Sequence, residues 1–209
     1  IIHSEPLVER YKQNNTDKSV VFVGSNDGML HAIDDNDGSE LWAFVMPEHL
    51  TSLKHAGLIM PDMWQYFVDG SSRSLTVNNQ KILVFGARRG GSTYVDLNIT
   101  DYKKPQFMYQ IPGMQNDANR DGWQGVYNLG QSWGTPTFKK IYSQVINSHS
   151  YRNIGLCSYK ETNVTYKGQN DDYVLILPGG DDEQYDYKAA KQASNIKGAA
   201  VLGINVLTG

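Results

Sequence analysis

The sequence predicts an all-β protein built from repeated antiparallel meanders, and two observations support this prediction. The first is composition: 20 Gly and 13 Tyr, with many Asn and Asp, favour strands and turns over helices. The second is the stretch Val20–Val45, in which three apolar runs are separated by Asn26-Asp27-Gly28 and Asn36-Asp37-Gly38. Because an Asp-Gly pair tolerates the positive φ of tight hairpins, this stretch predicts three strands joined by two short turns.

Further strands are expected wherever β-branched, aromatic and aliphatic residues are bounded by turn residues. In chain order they are Glu5–Tyr11, Ser74–Val77, Ile82–Phe85, Thr93–Ile99, Gln106–Ile111, Thr135–Phe138, Tyr173–Leu177 and Ala199–Leu207. Asp69–Ser72 predicts a turn or bulge. Pro47–Lys54 predicts a short helix, because proline fits the first helical position.

Size and charge limit the classes of function. The 209 residues suffice for a substantial core, and the net charge of −3 gives no basic footprint for nucleic acid. No apolar run approaches the roughly 18–20 residues of a membrane span. The single cysteine, Cys157, rules out an internal disulfide framework. Because the chain starts at Ile1 without an initiator Met or a signal-peptide pattern, we expect a processed or excised piece of a longer protein.

A spaced set of residues recurs along the chain. In the first meander, relative positions 1, 3, 7 and 11 are Ala32, Asp34, Gly38 and Trp42. The corresponding sets are Asp96, Asn98 and Tyr109 in a second unit, and Gly203, Asn205 and Gly209 in a third. We expect the polar side chain at position 3 to cap the turn backbone. The bulky ring at position 11 is expected to brace the neighbouring unit.

Three such units, at about residues 1–45, 66–111 and 129–209, predict a repeat architecture. Meanders arranged radially are the blades of a β-propeller. Because a closed propeller has about four to eight blades, we expect a single partial propeller domain of a larger protein. The long loop inserts Met46–Tyr66, Pro112–Gly130 and Gln144–Asp171 are its candidate interaction surfaces.

Five stretches carry a family resemblance. They are Val23–Phe44, Tyr66–Ser72 (YFVDGSS), Ile82–Asp101, Leu129–Phe138 and Lys197–Gly209. In this order they resemble the C-terminal β-propeller of PilY/PilC-type type IV pilus proteins, the tip-associated adhesin and assembly factors. The resemblance implies a non-enzymatic module, exported through the periplasm to the pilus tip or outer cell surface. It also implies roles in pilus assembly, surface adhesion and twitching motility, with minor pilins of the tip complex and a host or abiotic surface as partners.

Two alternative classes share this kind of propeller. Ala32, Asp34, Gly38 and Trp42 also match the docking motif of quinoprotein-type propellers, so a fragment of a PQQ-type dehydrogenase is one alternative. Such an enzyme needs calcium-ligating acids on the propeller axis, and no matching acid cluster is found in the sequence. The other alternative, an outer-membrane assembly scaffold, lacks YFVDGSS. We therefore expect no enzymatic activity and no catalytic residue.

Calcium is the one cofactor that the sequence predicts. Asp117, Asn119 and Asp121 follow the D-x-N-x-D-G pattern of a calcium loop, whose alternating oxygen ligands wrap the ion. The twelfth position is Asn128 where a bidentate Glu is usual. The prediction is therefore a weak site of the extracellular kind, and a polar loop without metal is the alternative.

Two further motifs have a structural interpretation. Gly130–Gly134 fits G-x-S-x-G, but a nucleophile elbow requires a following helix, and the residues after it favour a strand. Gly86–Thr93 (GARRGGST) approaches a P-loop but has Ser92 where the lysine is required. Arg88 and Arg89 could bind an anion on this loop; a solvated turn is the favoured interpretation.

Overall fold

The chain is all-β, as predicted. The computed structural model describes residues 2–13, 16–50, 53, 66–111, 129–146, 149–154, 157–160, 173–178, 180 and 201–207. These residues form 13 strands in three antiparallel sheets. Within the described residues, no helix has the length and apolar character that crossing a membrane requires.

The first sheet is the meander centred on Val20–Val45. Its strands are β1 (Leu7–Gln13), β2 (Thr16–Gly24), β3 (Met29–Asp34) and β4 (Glu40–Val45), each paired with the next. Gly28 and Gly38 close the β2–β3 and β3–β4 turns with φ of 102° and 74°, a conformation that glycine adopts at little cost. The helix predicted over Pro47–Lys54 begins as a 3-10 helix, Pro47–His49, and Leu50 and Leu53 are helical as well.

The second sheet repeats this topology. Its strands are β5 (Arg73–Val77), β6 (Gln80–Gly86), β7 (Tyr94–Asn98) and β8 (Gln106–Ile111). Asn78 and Asn79 join β5 to β6 with φ of 49° and 62°, the double positive φ of a tight hairpin turn. A short 3-10 helix, Arg88–Gly90, lies between β6 and β7.

The third sheet differs from a simple meander. Its strands are β9 (Thr137–Ile146), β10 (His149–Ile154), β11 (Cys157–Lys160), β12 (Tyr173–Pro178) and β13 (Val201–Asn205), in the order β11-β10-β9-β12-β13. Residues 144–171 are predicted to be a loop insert, yet β10 and β11 lie within this range. Their mixed polar sequences, HSYRNI and CSYK, lack the alternation by which a strand is recognised.

The second sheet lies between the other two, because its strands bury side chains on both faces. Leu83 and Phe85 of β6 belong to the apolar core shared with the first sheet, whereas Ile82 and Val84 belong to the core shared with the third. A continuous apolar run such as ILVF is typical of a strand covered on both faces. The three sheets as described do not close into a ring, so the propeller remains a prediction.

Candidate functional site

The recurring residues occupy equivalent places in the first two sheets. Ala32 on β3 pairs with Trp42 on β4, and the register shifts immediately after Ala32. Asp96 on β7 pairs with Tyr109 on β8, and the register shifts immediately after Asp96. In both sheets, the ring of the residue at position 11 therefore lies opposite the residue at position 1, next to the same shift in register.

The side chain at position 3 bonds to the backbone two residues further along in all three sheets. Asp34 Oδ1 accepts from the Asn36 N–H at 2.9 Å. Asn98 Oδ1 accepts from the Thr100 N–H at 3.0 Å, and Asn205 Oδ1 accepts from the Leu207 N–H at 3.0 Å. These contacts are Asx-turns, which end a strand by satisfying a backbone donor locally.

The ring at position 11 reaches the next sheet. Trp42 Nε1 donates to the Tyr102 carbonyl at 2.6 Å, and the Tyr109 hydroxyl donates to the Val206 carbonyl at 3.0 Å. A Cβ added at Gly38 would meet no described atom within 4 Å, so this glycine serves the turn alone. Gly209 lies outside the described residues.

Asp96 is a buried acid between the second and third sheets. Its side chain is fully buried, and neither carboxyl oxygen has a hydrogen-bond partner among the described residues. Burial raises the pKa of Asp96 well above its usual range, and an interaction with the Tyr109 hydroxyl only partly opposes this shift. The equivalent residue of the first sheet is the apolar Ala32.

His31 bridges two carboxylates on the surface of the first sheet. Its Nδ1 lies 2.6 Å from Glu40 Oε2, and its Nε2 lies 2.9 Å from Asp27 Oδ2. Burial disfavours the charged imidazole, but the hydrogen bonds and charges of Glu40 and Asp27 outweigh it and raise the pKa of His31. From the sequence alone, His31 is interpreted as a half-buried packing residue of a strand, and its two carboxylate partners are not predicted.

A second group of side chains converges on the 3-10 turn at Arg88–Gly90. The turn is anchored to Ser132, whose Oγ accepts from the Arg88 N–H at 2.8 Å and whose N–H donates to the Gly91 carbonyl at 3.0 Å. Gly90 packs on the segment 66–72: a Cβ at this position would lie 1.9 Å from the Phe67 carbonyl oxygen. The turn therefore has little freedom to move.

The G-x-S-x-G serine is a structural residue, as the sequence analysis favours. Ser132 is 2% exposed, and its hydroxyl also contacts the Gly91 and Thr93 carbonyl oxygens. A hydroxyl held by three backbone groups of one turn is not positioned for nucleophilic attack. The strand β9 follows it in place of a helix.

The 3-10 helix Pro47–His49 packs beneath the same turn. Glu48 Oε2 accepts from the Thr93 hydroxyl, and His49 Nε2 lies 3.2 Å from the Gly90 carbonyl oxygen. Burial raises the pKa of Glu48 and lowers the pKa of His49. Both shifts are in the direction that favours the uncharged form.

Asp69 is the buried acid beside this turn. Its carboxylate is fully buried, and Oδ1 lies 2.7 Å from His3 Nδ1. Its Oδ2 lies 3.8 Å from Arg88 Nη1 and 4.0 Å from Arg89 Nε. One buried carboxylate is thus shared by two guanidinium groups.

Two aromatic rings flank these guanidinium groups. The Cζ atoms of Arg88 and Arg89 lie 4.7 and 5.2 Å from the centre of the Trp133 ring. Arg89 Cζ also lies 5.1 Å from the centre of the Tyr66 ring. These are cation–π distances. We call His3, Tyr66, Asp69, Arg88, Arg89 and Trp133 the arginine cluster.

Several predicted sites lie outside the described residues. They include the calcium-loop residues Asp117, Asn119, Asp121 and Asn128, and most of the inserts 46–66 and 112–130. In the part of the chain that the structure describes, no three His, Cys, Asp or Glu side chains form a metal-binding group. The calcium site therefore remains a prediction.

Comparison with curated proteins finds type IV pilus biogenesis factors. Two PilY1 homologs of Xylella fastidiosa are each 39% identical to the chain, over 134 and 152 residues. These matches cover 60% and 63% of this chain but 8% and 12% of the relatives. PilY1 of Pseudomonas aeruginosa is 28% identical over 144 residues, or 64% of this chain and 11% of that protein. The chain therefore spans a small part of the length of the curated relatives that it matches.

Comparison with family models and solved structures adds two findings. No family model matches the chain. The crystal structure of the P. aeruginosa PilY1 C-terminal domain aligns with 84% of this chain and 42% of that chain, at 18% identity and a TM-score of 0.40.

The sequence comparisons show similarity to proteins of the type IV pilus class. More particularly, the chain is similar to PilY1 proteins over 60% to 64% of its length, and the resemblance found in its motifs is confirmed.

Proposed function

We propose that the chain is a non-enzymatic module of type IV pilus biogenesis. The observation that carries the proposal is its 39% identity to two proteins named as type IV pilus biogenesis factors. A non-enzymatic role is supported by Ser132, the one nucleophile candidate of the sequence analysis, whose hydroxyl is held by backbone groups.

We further propose that the three sheets are blades of a β-propeller. Support comes from the shared register at Ala32 and Asp96, and from the position-11 rings that link each sheet to the next. Closure into a propeller requires strands beyond these three sheets. A scaffold of this kind would hold exposed turns rigidly for recognition.

By analogy with its relatives, the module would act at the pilus tip or outer cell surface after export through the periplasm. Minor pilins of the tip complex are the proposed partners, and adhesion and twitching motility are the proposed outcomes. Weak calcium binding at Asp117, Asn119, Asp121 and Asn128 belongs to the same proposal.

The test is an in-frame deletion of the coding segment for residues 20–111 in the organism that carries the chain. Pilin sheared from the cell surface is measured by immunoblot, with total cellular pilin as the control. We expect surface pilin to fall while total pilin stays constant, and a plasmid copy to restore it. Unchanged surface pilin and unchanged twitching would refute the proposal.

A further inference from the structure

We propose that the arginine cluster is a recognition site for the carboxylate groups of an acidic protein segment. The inference goes beyond the proposed pilus role, because it assigns a binding site and a ligand chemistry from the geometry of the turn. The binding site and the pilus role can be tested independently of each other.

The first argument is charge. Arg88 and Arg89 together carry two positive charges, whereas Asp69 is the only carboxylate within 4.0 Å of either guanidinium among the described residues. Glu48, the other acid at the turn, bonds to Thr93 instead. The cluster therefore has a surplus positive charge in a chain whose net charge is −3.

The second argument is unused hydrogen-bonding capacity. The closest approaches of the guanidinium groups to Asp69 are 3.8 and 4.0 Å, which is too long for hydrogen bonds. Within the described part of the chain, Arg89 makes one side-chain hydrogen bond, to the Tyr66 hydroxyl at 3.4 Å, and Arg88 makes none. The side chains are 32% and 36% exposed, so both are partly open to solvent, and most of their N–H donors have no hydrogen-bond partner among the described residues.

The third argument is preorganisation. Asp69 and the Trp133 ring hold both guanidinium groups in place, so a ligand would lose less side-chain entropy on binding them. Arg88 itself has a φ of 53°, which glycine or asparagine would adopt with less strain. Backbone strain kept by a large charged residue is typical of sites that serve recognition.

The fourth argument separates carboxylate from phosphate. Phosphate sites in turns are built largely from free backbone N–H groups. Here the N–H groups of Arg88, Gly90 and Gly91 already donate to Ser132 Oγ, the Ala87 carbonyl and the Arg88 carbonyl. Recognition is left to the side-chain forks, which pair with planar carboxylates and with phosphates in a bidentate manner, so a phosphate has no added advantage from the backbone here.

The flanking rings identify the source of the carboxylate as a protein. Trp133 is 37% exposed although it is a large hydrophobic residue. Tryptophan, tyrosine and arginine dominate the energetics of protein interfaces, and here all three types share one surface. An acidic segment could pair with the guanidinium groups while its apolar atoms pack on the rings.

The experiment uses the 209-residue chain and a fluorescein-labelled peptide of alternating Glu and Gly, followed by anisotropy. A peptide with Gln in place of Glu is the matched ligand control. We expect the Glu peptide to bind and the Gln peptide to bind at least about tenfold more weakly, because the charge-assisted bonds are lost. Equal binding of the two peptides, or no binding of either, would overturn the proposal.

Variants of the protein assign the binding to the cluster. Arg88→Gln and Arg89→Gln should each weaken binding about tenfold, and Arg88→Lys and Arg89→Lys should weaken it severalfold because the planar fork is lost. Arg73→Gln is the matched control, since it removes a guanidinium that is 44% exposed on β5, and it should change binding less than twofold. Lysine variants keep the charge and the turn, so they remain informative if a glutamine variant fails to fold. Equal weakening by Arg73→Gln would contradict the assignment.

Competition distinguishes the remaining ligand classes. Glutarate should displace the labelled peptide at lower concentration than inorganic phosphate does. Displacement by phosphate at the lower concentration would make this a phosphate site and refute the carboxylate assignment.

Discussion

Trp42 and Tyr102 join the first two sheets through a hydrogen bond of 2.6 Å from the indole Nε1 to a backbone carbonyl. The residues are 60 positions apart in the chain, so the contact forms only when the two meanders are packed together. Tyr109 and Val206 make the equivalent contact between the second and third sheets. The ring at position 11 is therefore a link between sheets as well as a packing group.

Replacing Trp42 tests this link directly. Trp42→Phe keeps a ring but leaves the part-buried Tyr102 carbonyl without its donor, so we expect the free energy of unfolding to fall by about 1–2 kcal/mol. Guanidinium unfolding measures it. Trp133→Phe is the control, because that indole donates to the Gln131 side chain in an exposed contact; we expect it to lose less than about 0.5 kcal/mol. Equal losses would show that the Tyr102 contact adds nothing specific.

Tyr109 gives a second test at the other interface. The ring is 4% exposed, so Tyr109→Phe removes little except the hydroxyl, which donates to Val206 and also interacts with Asp96. We expect a loss of about 1–2 kcal/mol in urea unfolding. Because this contact lies in a different core from Trp42, the losses of the double variant should add to within about 0.5 kcal/mol. A Tyr109→Phe protein as stable as the wild type would contradict the equivalence of the two links.

Asp96 should make the protein less stable as pH rises. Burial raises its folded-state pKa above the unfolded value, so the folded state holds a proton that the unfolded state releases. Stability from this group is complete below about pH 4, the unfolded pKa, and falls as pH rises towards the folded pKa. Asp96→Asn removes this dependence.

The measurement for Asp96 is urea unfolding of both proteins at about pH 4 and about pH 8. Because the folded wild type must keep a proton that the unfolded state releases above about pH 4, we expect the stability of Asp96→Asn relative to the wild type to be higher at pH 8 than at pH 4. The same difference at both pH values would mean that Asp96 titrates normally.

His31 should contribute stability only while it is protonated. Asp27 and Glu40 raise its folded-state pKa, so the contribution is complete below the unfolded value of about 6.5 and is lost as pH rises through the folded value. His31→Gln should therefore cost about 0.5–1 kcal/mol near pH 5, as partly exposed ion pairs do, and less near pH 9. Thermal unfolding across this range checks it, and a cost that grows with pH would have the wrong sign.

The local features of the fold could be predicted from the sequence because each depends on neighbouring residues. Asn26-Asp27-Gly28 and Asn36-Asp37-Gly38 identify hairpins since only certain residues tolerate the required φ. The polar residue at position 3 acts on a backbone group two residues away. The same reasoning failed for β10 and β11, whose polar sequences carry no strand period.

The arginine cluster could not be predicted in this way. Asp69 meets His3 across 66 positions, and Trp133 reaches Arg88 from the segment before β9. The local sequence does not indicate which turns lie close together once the sheets are packed. Both YFVDGSS and GARRGGST contribute residues to the cluster. Taken separately, however, the first predicts a turn and the second a loop without the lysine of a P-loop.

The most direct test of the pilus assignment is mass spectrometry of pili sheared from the cell surface. We expect peptides from the chain in the sheared pilus fraction, at few copies relative to the major pilin. In a strain without pili, we expect these peptides to be absent from this fraction. Peptides confined to the cytoplasm, and equally abundant in cells without pili, would contradict it.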